Sequence, residues 1–430
     1  MPVASTSLPP DAPSLSADDA PARARAGGPA PHPHARHGVD TFLSHGTRSP
    51  RAFGGTVNPP VCRASTIVFE NMKDMDARQQ ALARDESGVM WYGRKGTPTA
   101  FALQESIARL EGGYRTTLTS SGLAACVAAI SAFVRSGDHV LLTDSAYGPT
   151  RHYTRTVLAR YGVRCSFYDP RAGADIEQAF RPETRLVYVE SPGSQTFEVQ
   201  DIPAIAERAH RHGARVVMDN TWASPLYFQP FEHGVDVSVQ ACTKYVTGHS
   251  DALLGSVTTT REAWAELHEY ADAAGLHAGP DDVYLAQRGL RTLSVRLQRH
   301  QDNALRVAGW LAARPEVEQV LYPALPGAPG HALWRRDFRG ASGLFGLVLK
   351  PCPPAALRRF VDSLELFHLG FSWGGFESMV MPLETLPERE ASAWPYEGPL
   401  VRLHIGLESP DDLIEDLGGA LHQLRRALAA

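Results

Sequence analysis

What the 430-residue sequence lacks narrows it first. No apolar run approaches the roughly 18 residues of a membrane span. The longest, LAACVAAISAFV (123–134), reads as a buried helix, and no membrane partner is expected. Cysteine is scarce: Cys62, Cys126, Cys165, Cys242 and Cys352 are odd in number, scattered, and form no CxxC pair. That argues against a disulfide framework or structural zinc and for a reducing, cytoplasmic setting. Neither sign of charge dominates; a formal net charge of -5 gives no reason to expect nucleic acid binding. The patterns GxGxxG, GxxxxGKS/T and HExxH are all missing, which removes the usual entry points for nucleotide and zinc-protease readings. No internal repeat and no metal site are expected.

What is present is an ordinary globular composition, 43% hydrophobic and 21% charged. The first segment differs. MPVASTSLPPDAPSLSADDAPARARAGGPAPHPHARHG has almost no large apolar groups, so a disordered Pro/Ala-rich tail is expected over 1–44. It lacks the apolar stretch of a secretory signal. His32, His34 and His37 have metal-binding chemistry but read as incidental to such a tail.

From about residue 115, short β-branched runs alternate with helical patterns. HVLLTD (139–144), VRCSFYD (163–169), RLVYVES (185–191), RVVMDN (215–220) and VDVSVQ (235–240) read as strands. PTRHYTRTVLARYG (149–162), ADIEQAF (174–180) and the Asp201-capped DIPAIAERAHRHG read as helices. Continuous apolar strands between helices imply an α/β fold with a mainly parallel sheet covered on both faces. Ligands collect at the carboxyl ends of such strands. A smaller α+β region follows from 291 to 430, with a long helix (RTLSVRLQRHQDNALRVAGWLAA), strands SGLFGLVLK (342–350) and VRLHIGLE (401–408), and a Leu-periodic final helix. The expected division is a tail (1–44), an arm (45–97), a large domain (98–290) and a C-terminal domain (291–430).

One generic motif is present. Gly370-Phe371-Ser372-Trp373-Gly374 fits GxSxG, the nucleophile elbow of a serine hydrolase. It needs a strand before it, a helix after it, and an acid and a histidine downstream. The sequence offers Asp411 and His422 inside one helical pattern, a poor arrangement for a triad.

A second constellation lies at strand ends. RVVMDN delivers Asp219 to the end of one strand, and VQACTKYVTGHSD (239–251) delivers Thr243 and Lys244 past the end of the next. For either residue alone, a structural salt bridge is the better reading. TSSGLAACVAAI places Ser120, Ser121 and Gly122 before a helix, either a plain cap or a phosphate seat. LTDSAY ends on Tyr147. A lysine for an imine, an acid for a pyridinium, a helix N-terminus for a phosphate and an aromatic for a ring together suit pyridoxal 5′-phosphate.

These residues resemble the pyridoxal-phosphate enzymes of cysteine and methionine metabolism. The similarity runs from about residue 56 to the end. Its segments are TVNPPVCRAST (56–66), WYGRKGTPT (91–99), LTDSAYGPTRHY (142–153), VESPGSQTFEVQD (189–201), VMDNTW (217–222), QACTKYVTGHSD (240–251), GLRTLSVRLQRH (289–300), SWGGFES (372–378) and VRLHIGLE (401–408). The resemblance implies the aspartate-aminotransferase-like fold (fold type I), with Lys244 bonded to the cofactor and Asp219 on its pyridine nitrogen. It implies Tyr147 stacked on the ring and assisting proton transfer, and a phosphate held by Gly122, Leu123 and Thr243. Tyr92 and Arg94 would reach a neighbouring subunit's site, giving a homotetramer of dimers with the arm shared. Arg402 would anchor the substrate carboxylate, with Ser372, Trp373 and Tyr92 lining the pocket.

SWGGFES and SPGS resemble the cystathionine β-lyase branch. The implied activity is β-elimination of L-cystathionine to L-homocysteine, pyruvate and ammonia in methionine biosynthesis. The alternatives are a γ-lyase or γ-synthase, a cysteine-S-conjugate β-lyase and, from another class, a non-catalytic regulatory cofactor-binding module. Two departures stand out. Ala241 occupies the place of a phosphate-binding serine in many relatives, and Cys62 stands where an aromatic is common.

Overall fold

The structure, a computed structural model, describes residues 38–383 and 389–429. Most of the expected tail, with His32, His34 and His37, lies outside them, but its end is not disordered: Val39–His45 is a helix that buries Phe42 and Leu43, two large apolar groups that repay the ordering. Seven strands form the larger sheet: β1 (Arg115–Thr119), β2 (His139–Thr143), β3 (Arg164–Tyr168), β4 (Thr184–Glu190), β5 (Arg215–Asp219), β6 (Val237–Gln240) and β7 (Gly255–Thr259). Their order is β1-β7-β6-β5-β4-β2-β3. The five strands from β6 to β3 run parallel, whereas β7 is antiparallel to both β1 and β6.

Period-2 alternation explains how the sheet is sandwiched. Val140, Leu142, Leu186, Tyr188 and Val217 pack on one side, with the helix Gly122–Ser131. Leu141, Val187, Val189, Val216 and Met218 pack on the other, with the helix Ile202–Arg211. Ile202, Ile205, Ala206 and Ala209 are all buried, and Asp201 caps their helix by accepting the Ala204 N–H at 3.3 Å.

A five-stranded sheet follows: β8 (Val317–Leu321), β9 (Leu344–Leu349), β10 (His368–Leu369), β11 (Met379–Leu383) and β12 (Leu400–His404), in the order β10-β11-β12-β9-β8. Its buried residues Leu347, Val348 and Leu403 belong to the same continuous core as Val216 and Met218. The two sheets are therefore joined through apolar contact.

Local readings shift in three places. The helix expected over 149–162 begins as Gly148–Tyr153 and continues as a wider π turn, Thr154–Leu158. The one expected over 174–180 is a 3₁₀ segment, Gly173–Ala179. In the final helix, Pro410–Leu428, Leu413, Leu417, Leu421 and Leu424 are buried, but Leu428 in the last turn is exposed.

Candidate active site

Parallel strands put their carboxyl ends on one edge, and here four neighbours each deliver a functional group there. Asp219 ends β5, Glu190 ends β4, Lys244 follows β6 and Tyr147 follows β2. After β6 the chain tightens into a turn: the Ala241 N–H donates to Thr221 Oγ1 (2.8 Å), the Lys244 N–H to the Ala241 carbonyl (2.9 Å), and the Gly248 N–H to the Lys244 carbonyl (2.8 Å). This turn projects Lys244 towards the five-stranded sheet. Its Nζ donates to Ser372 Oγ at 2.9 Å and lies 5.2 Å from the Trp373 ring centroid. Burial lowers the ammonium to about 8; Arg402 pushes in the same direction and Asp219 opposes it. A lysine so placed can shed its proton near neutral pH.

Asp219 is 8% exposed. Its Oδ1 accepts the Thr221 N–H (3.0 Å) and its Oδ2 the Cys126 thiol (3.7 Å). Burial raises its pKa, partly offset by those hydrogen bonds and by Lys244. Among the described residues it forms no ion pair. A buried carboxylate with donors but no bonded cation fits a cationic ring nitrogen as its partner. Glu190 stands opposite Asp219 in the strand register and accepts the Tyr147 backbone N–H at 2.7 Å. Burial and the nearby Asp219 push the Glu190 carboxyl well above the usual range. Tyr147 is partly open, and burial raises its phenol.

The phosphate end of the expected cofactor also fits. Ser121 caps the helix Gly122–Ser131 through the Ala124 N–H (3.1 Å), and the Gly122 and Leu123 amides precede that bond. A Cβ on Gly122 would fall 2.5 Å from the Ala241 Cβ. Gly122 can therefore carry no side chain, because the lysine turn rests directly on this helix start. The Thr243 hydroxyl is already engaged with the Leu254 backbone, donating at 3.2 Å and accepting at 3.0 Å.

Recognition groups come from the second sheet. Arg402, buried on β12, sends Nη2 to the Phe371 carbonyl (2.8 Å) and, more distantly, to those of Gly370 and Ser372 (both 3.3 Å). Burial lowers its guanidinium to about 10. Two residues on, His404 Nε2 meets the Gly374 N–H (3.2 Å) and the Gly375 carbonyl (3.1 Å). Gly374 has φ +84°, and a Cβ there would lie 3.0 Å from the Lys244 backbone. The loop can touch the lysine only because this position is glycine.

Lys244, Asp219, Tyr147, Ser372, Trp373 and Arg402 thus converge. Tyr92 and Arg94 do not join them within the chain. Arg94 Nη1 donates to the Asp272 carboxylate (3.0 Å) and carbonyl (3.1 Å), and Tyr92 is 45% exposed. The serine-hydrolase reading is overturned. Ser372 follows the two-residue strand β10 and opens an irregular loop rather than a helix, and its hydroxyl meets Lys244. Asp411 pairs with Arg306, and both Asp411 and His422 belong to the final helix. Glu190, Cys126, Gly374 and His404 were not anticipated. Glu190 carried a usable signal, an acid ending a strand just as Asp219 does; His404 shares the strand face of Arg402 by period 2.

Residues 40–422 match the family described as Cys/Met metabolism PLP-dependent enzymes. The cystathionine beta-lyase of Salmonella typhimurium is 43% identical over 392 residues, covering 90% of this chain and 98% of that protein. The cystathionine beta-lyase MetC of Escherichia coli is 44% identical over 387 residues, covering 88% and 97%. Among solved structures, metB from Corynebacterium glutamicum superposes with a TM-score of 0.82 at 32% identity, covering 90% of this chain and 99% of that one.

Proposed function

The chain belongs to the pyridoxal-phosphate-dependent enzymes of cysteine and methionine metabolism, and on that footing we propose that it is a cystathionine β-lyase. The observation that carries this reading is the placement of the Lys244 amine. It bonds Ser372, lies against the Trp373 ring, and feels the charges of Asp219 and the buried Arg402. Relatives bearing that name across nearly their whole length support it.

When bound, pyridoxal 5′-phosphate draws electrons from the Cα of an amino acid. The chain's residues do the rest. Asp219 would pair with the ring nitrogen, and Tyr147 would cover the ring. The amides of Gly122 and Leu123 hold the phosphate, with Thr243 once its hydroxyl turns from Leu254. Arg402 takes the substrate carboxylate through a planar guanidinium suited to two parallel hydrogen bonds. Lys244 Nζ removes the Cα proton, the Cβ–S bond breaks, and Lys244 returns a proton to the departing sulfur of homocysteine. Water then converts the three-carbon enamine to pyruvate and ammonia. The lowered pKa of Lys244 suits an amine that must accept and release a proton at neutral pH.

In this reading Tyr92 and Arg94 serve a neighbouring copy's site, so the working form is a dimer or a tetramer of dimers. Within one chain Arg94 is bonded to Asp272 and Tyr92 is exposed, which supports this, as does the exposure of Val57, Val68 and Met72 along the arm. The segments 45–97, 98–290 and 291–430 are the proposed arm, large domain and C-terminal domain. Five unpaired thiols support the cytoplasm as its compartment. Among the described residues no helix is long and apolar enough to cross a membrane.

Product analysis with L-cystathionine tests the proposal. Pyruvate, ammonia and homocysteine in equal amounts are expected. 2-Oxobutyrate with cysteine would assign a γ-lyase instead, and no turnover by the cofactor-loaded protein would favour the regulatory module.

A further inference from the structure

Asp219 is held by more than its own strand. Cys126 lies one helical turn beyond Gly122, on the same face of the helix Gly122–Ser131. Its thiol donates to Asp219 Oδ2 across 3.7 Å. Tyr188, on the neighbouring strand β4, donates its O–H to Cys126 Sγ at 3.4 Å. Tyr188 is 0%, Cys126 2% and Asp219 8% exposed, so water does not compete for these bonds. The run has one direction, hydroxyl to sulfur and sulfur to carboxylate, and each donor polarises the next towards Asp219.

Asp219 needs such support because its surroundings favour the neutral acid. It is buried, and the Glu190 carboxyl stands beside it in the strand register. The Thr221 N–H serves Oδ1, and on Oδ2 the donor is the thiol. A cysteine can hold that place only while protonated. Burial and the adjacent carboxylate push its pKa up, so it keeps its proton.

We propose that Tyr188 and Cys126 form a positioning relay that keeps Asp219 ionised and aimed at the cofactor's ring nitrogen, so that a buried thiol sets how tightly the cofactor is held. The inference rests on the reading of Asp219 as the partner of that nitrogen. Neither Tyr188 nor Cys126 touches a reacting atom.

The test measures the dissociation constant of pyridoxal 5′-phosphate for the resolved apo-protein, together with the pH dependence of the bound cofactor's visible absorbance. Cys126→Ala removes the donor and is expected to weaken binding about 5- to 10-fold, the range of one ordinary hydrogen bond, because a thiol is a weak donor. Cys126→Ser keeps a donor and should stay within about twofold of wild type, and Tyr188→Phe should weaken binding about 2- to 3-fold. The absorbance titration should move in the alanine variant and not in the serine variant. Equal losses in the alanine and serine variants would mean that only the sulfur's volume matters and would overturn the relay. If the alanine variant does not fold, unchanged affinity in Tyr188→Phe overturns it equally.

An Asp219→Asn background separates the two readings. If Asp219→Asn binds weakly and Cys126→Ala adds nothing further, the relay acts through Asp219. If Cys126→Ala still adds its full effect, the relay fails while the Asp219 assignment stands. If Asp219→Asn binds the cofactor like wild type, the Asp219 assignment fails and takes the relay with it.

Discussion

The two sheets contribute to the site in different ways. The seven-stranded sheet places its groups by topology: four neighbouring parallel strands end on one edge, and Lys244, Asp219, Glu190 and Tyr147 sit at or just past those ends. The five-stranded sheet places its groups by a side-chain network. Arg402 lies within β12, and Ser372, Trp373 and Gly374 lie on an irregular loop tied down by Arg402 and His404. The first arrangement is set by the backbone path and, in the proposed function, holds the atoms of the reaction. The second is set by a few hydrogen bonds to carbonyls and amides and, in the same proposal, holds what recognises the substrate. Substitutions at the parallel edge should therefore act on rate, and substitutions in the loop network on binding and local stability.

Lys244→Ala breaks the comparison most forcefully. Loss of the general acid–base group should lower kcat by about 10²–10⁴-fold, with the cofactor-loaded fraction checked separately by absorbance. Wild-type turnover would remove Lys244 from the reaction. Arg402→Ala probes the other sheet. Removing a buried charge partner of the substrate costs about 2–3 kcal/mol, a 30- to 150-fold fall in kcat/KM carried mainly by KM. Arg402→Lys should recover only part of it, because an ammonium cannot reproduce the planar fork. If instead kcat collapses and KM holds, recognition and chemistry are not divided between the sheets.

The same division governs what could be read from the sequence. Strand-end logic identified Asp219 and Lys244 because apolar runs stop abruptly and a polar group follows. It passed over β1 and β7, whose RTTLT and GSVTT carry hydroxyls in place of an apolar run. Several of those hydroxyls are satisfied internally, as Thr116 with Thr258 at 2.8 Å, which lets the strands be buried although they read as polar. The loop network was less legible. Ser372, Trp373 and Arg402 came from family resemblance, because an irregular segment has no period. Gly374 gave no sign that its hydrogen faces the Lys244 backbone. Ala241 reads as a missing phosphate ligand, and the sequence does not show that its methyl group lies against the Gly122 backbone.

Gly374→Ala sharpens the comparison where the loop of one sheet meets the lysine turn of the other through backbone. The new Cβ would meet Lys244 main-chain atoms, which cannot rotate aside, at a φ of +84° that disfavours any L side chain. A loss of about 1–3 kcal/mol in unfolding free energy is expected, with a fall in kcat as the lysine turn shifts. Urea titration of the apo-protein beside steady-state kinetics separates the two effects. Full activity with lowered stability alone would show that the loop supports the lysine without orienting it.

The smallest effect concerns pH. Each sheet buries histidines that burial keeps neutral: His139 on β2, lowered to about 4, and His300 behind the Trp373–Gly374 loop, also lowered to about 4. The unfolded chain takes up protons at these sites below its ordinary value near 6.5, while the folded chain resists until about 4. Stability is therefore full above pH 6.5 and falls as pH drops through that window. His139 differs in having both ring nitrogens bonded, to Thr184 Oγ1 (2.8 Å) and Ser166 Oγ (2.5 Å). His300 bonds the Ile405 carbonyl through Nδ1 (2.7 Å) and leaves Nε2 buried without a partner among the described residues. Replacing either by Asn should flatten the loss between pH 7 and 5 by about 1–2 kcal/mol. The neutral-pH cost should be larger for His139→Asn, because two serine and threonine hydroxyls lose their partner. Equal neutral-pH costs would mean that the unpaired Nε2 of His300 is satisfied in solution, and that the loop sheet is as tightly bonded around its histidine as the parallel sheet is.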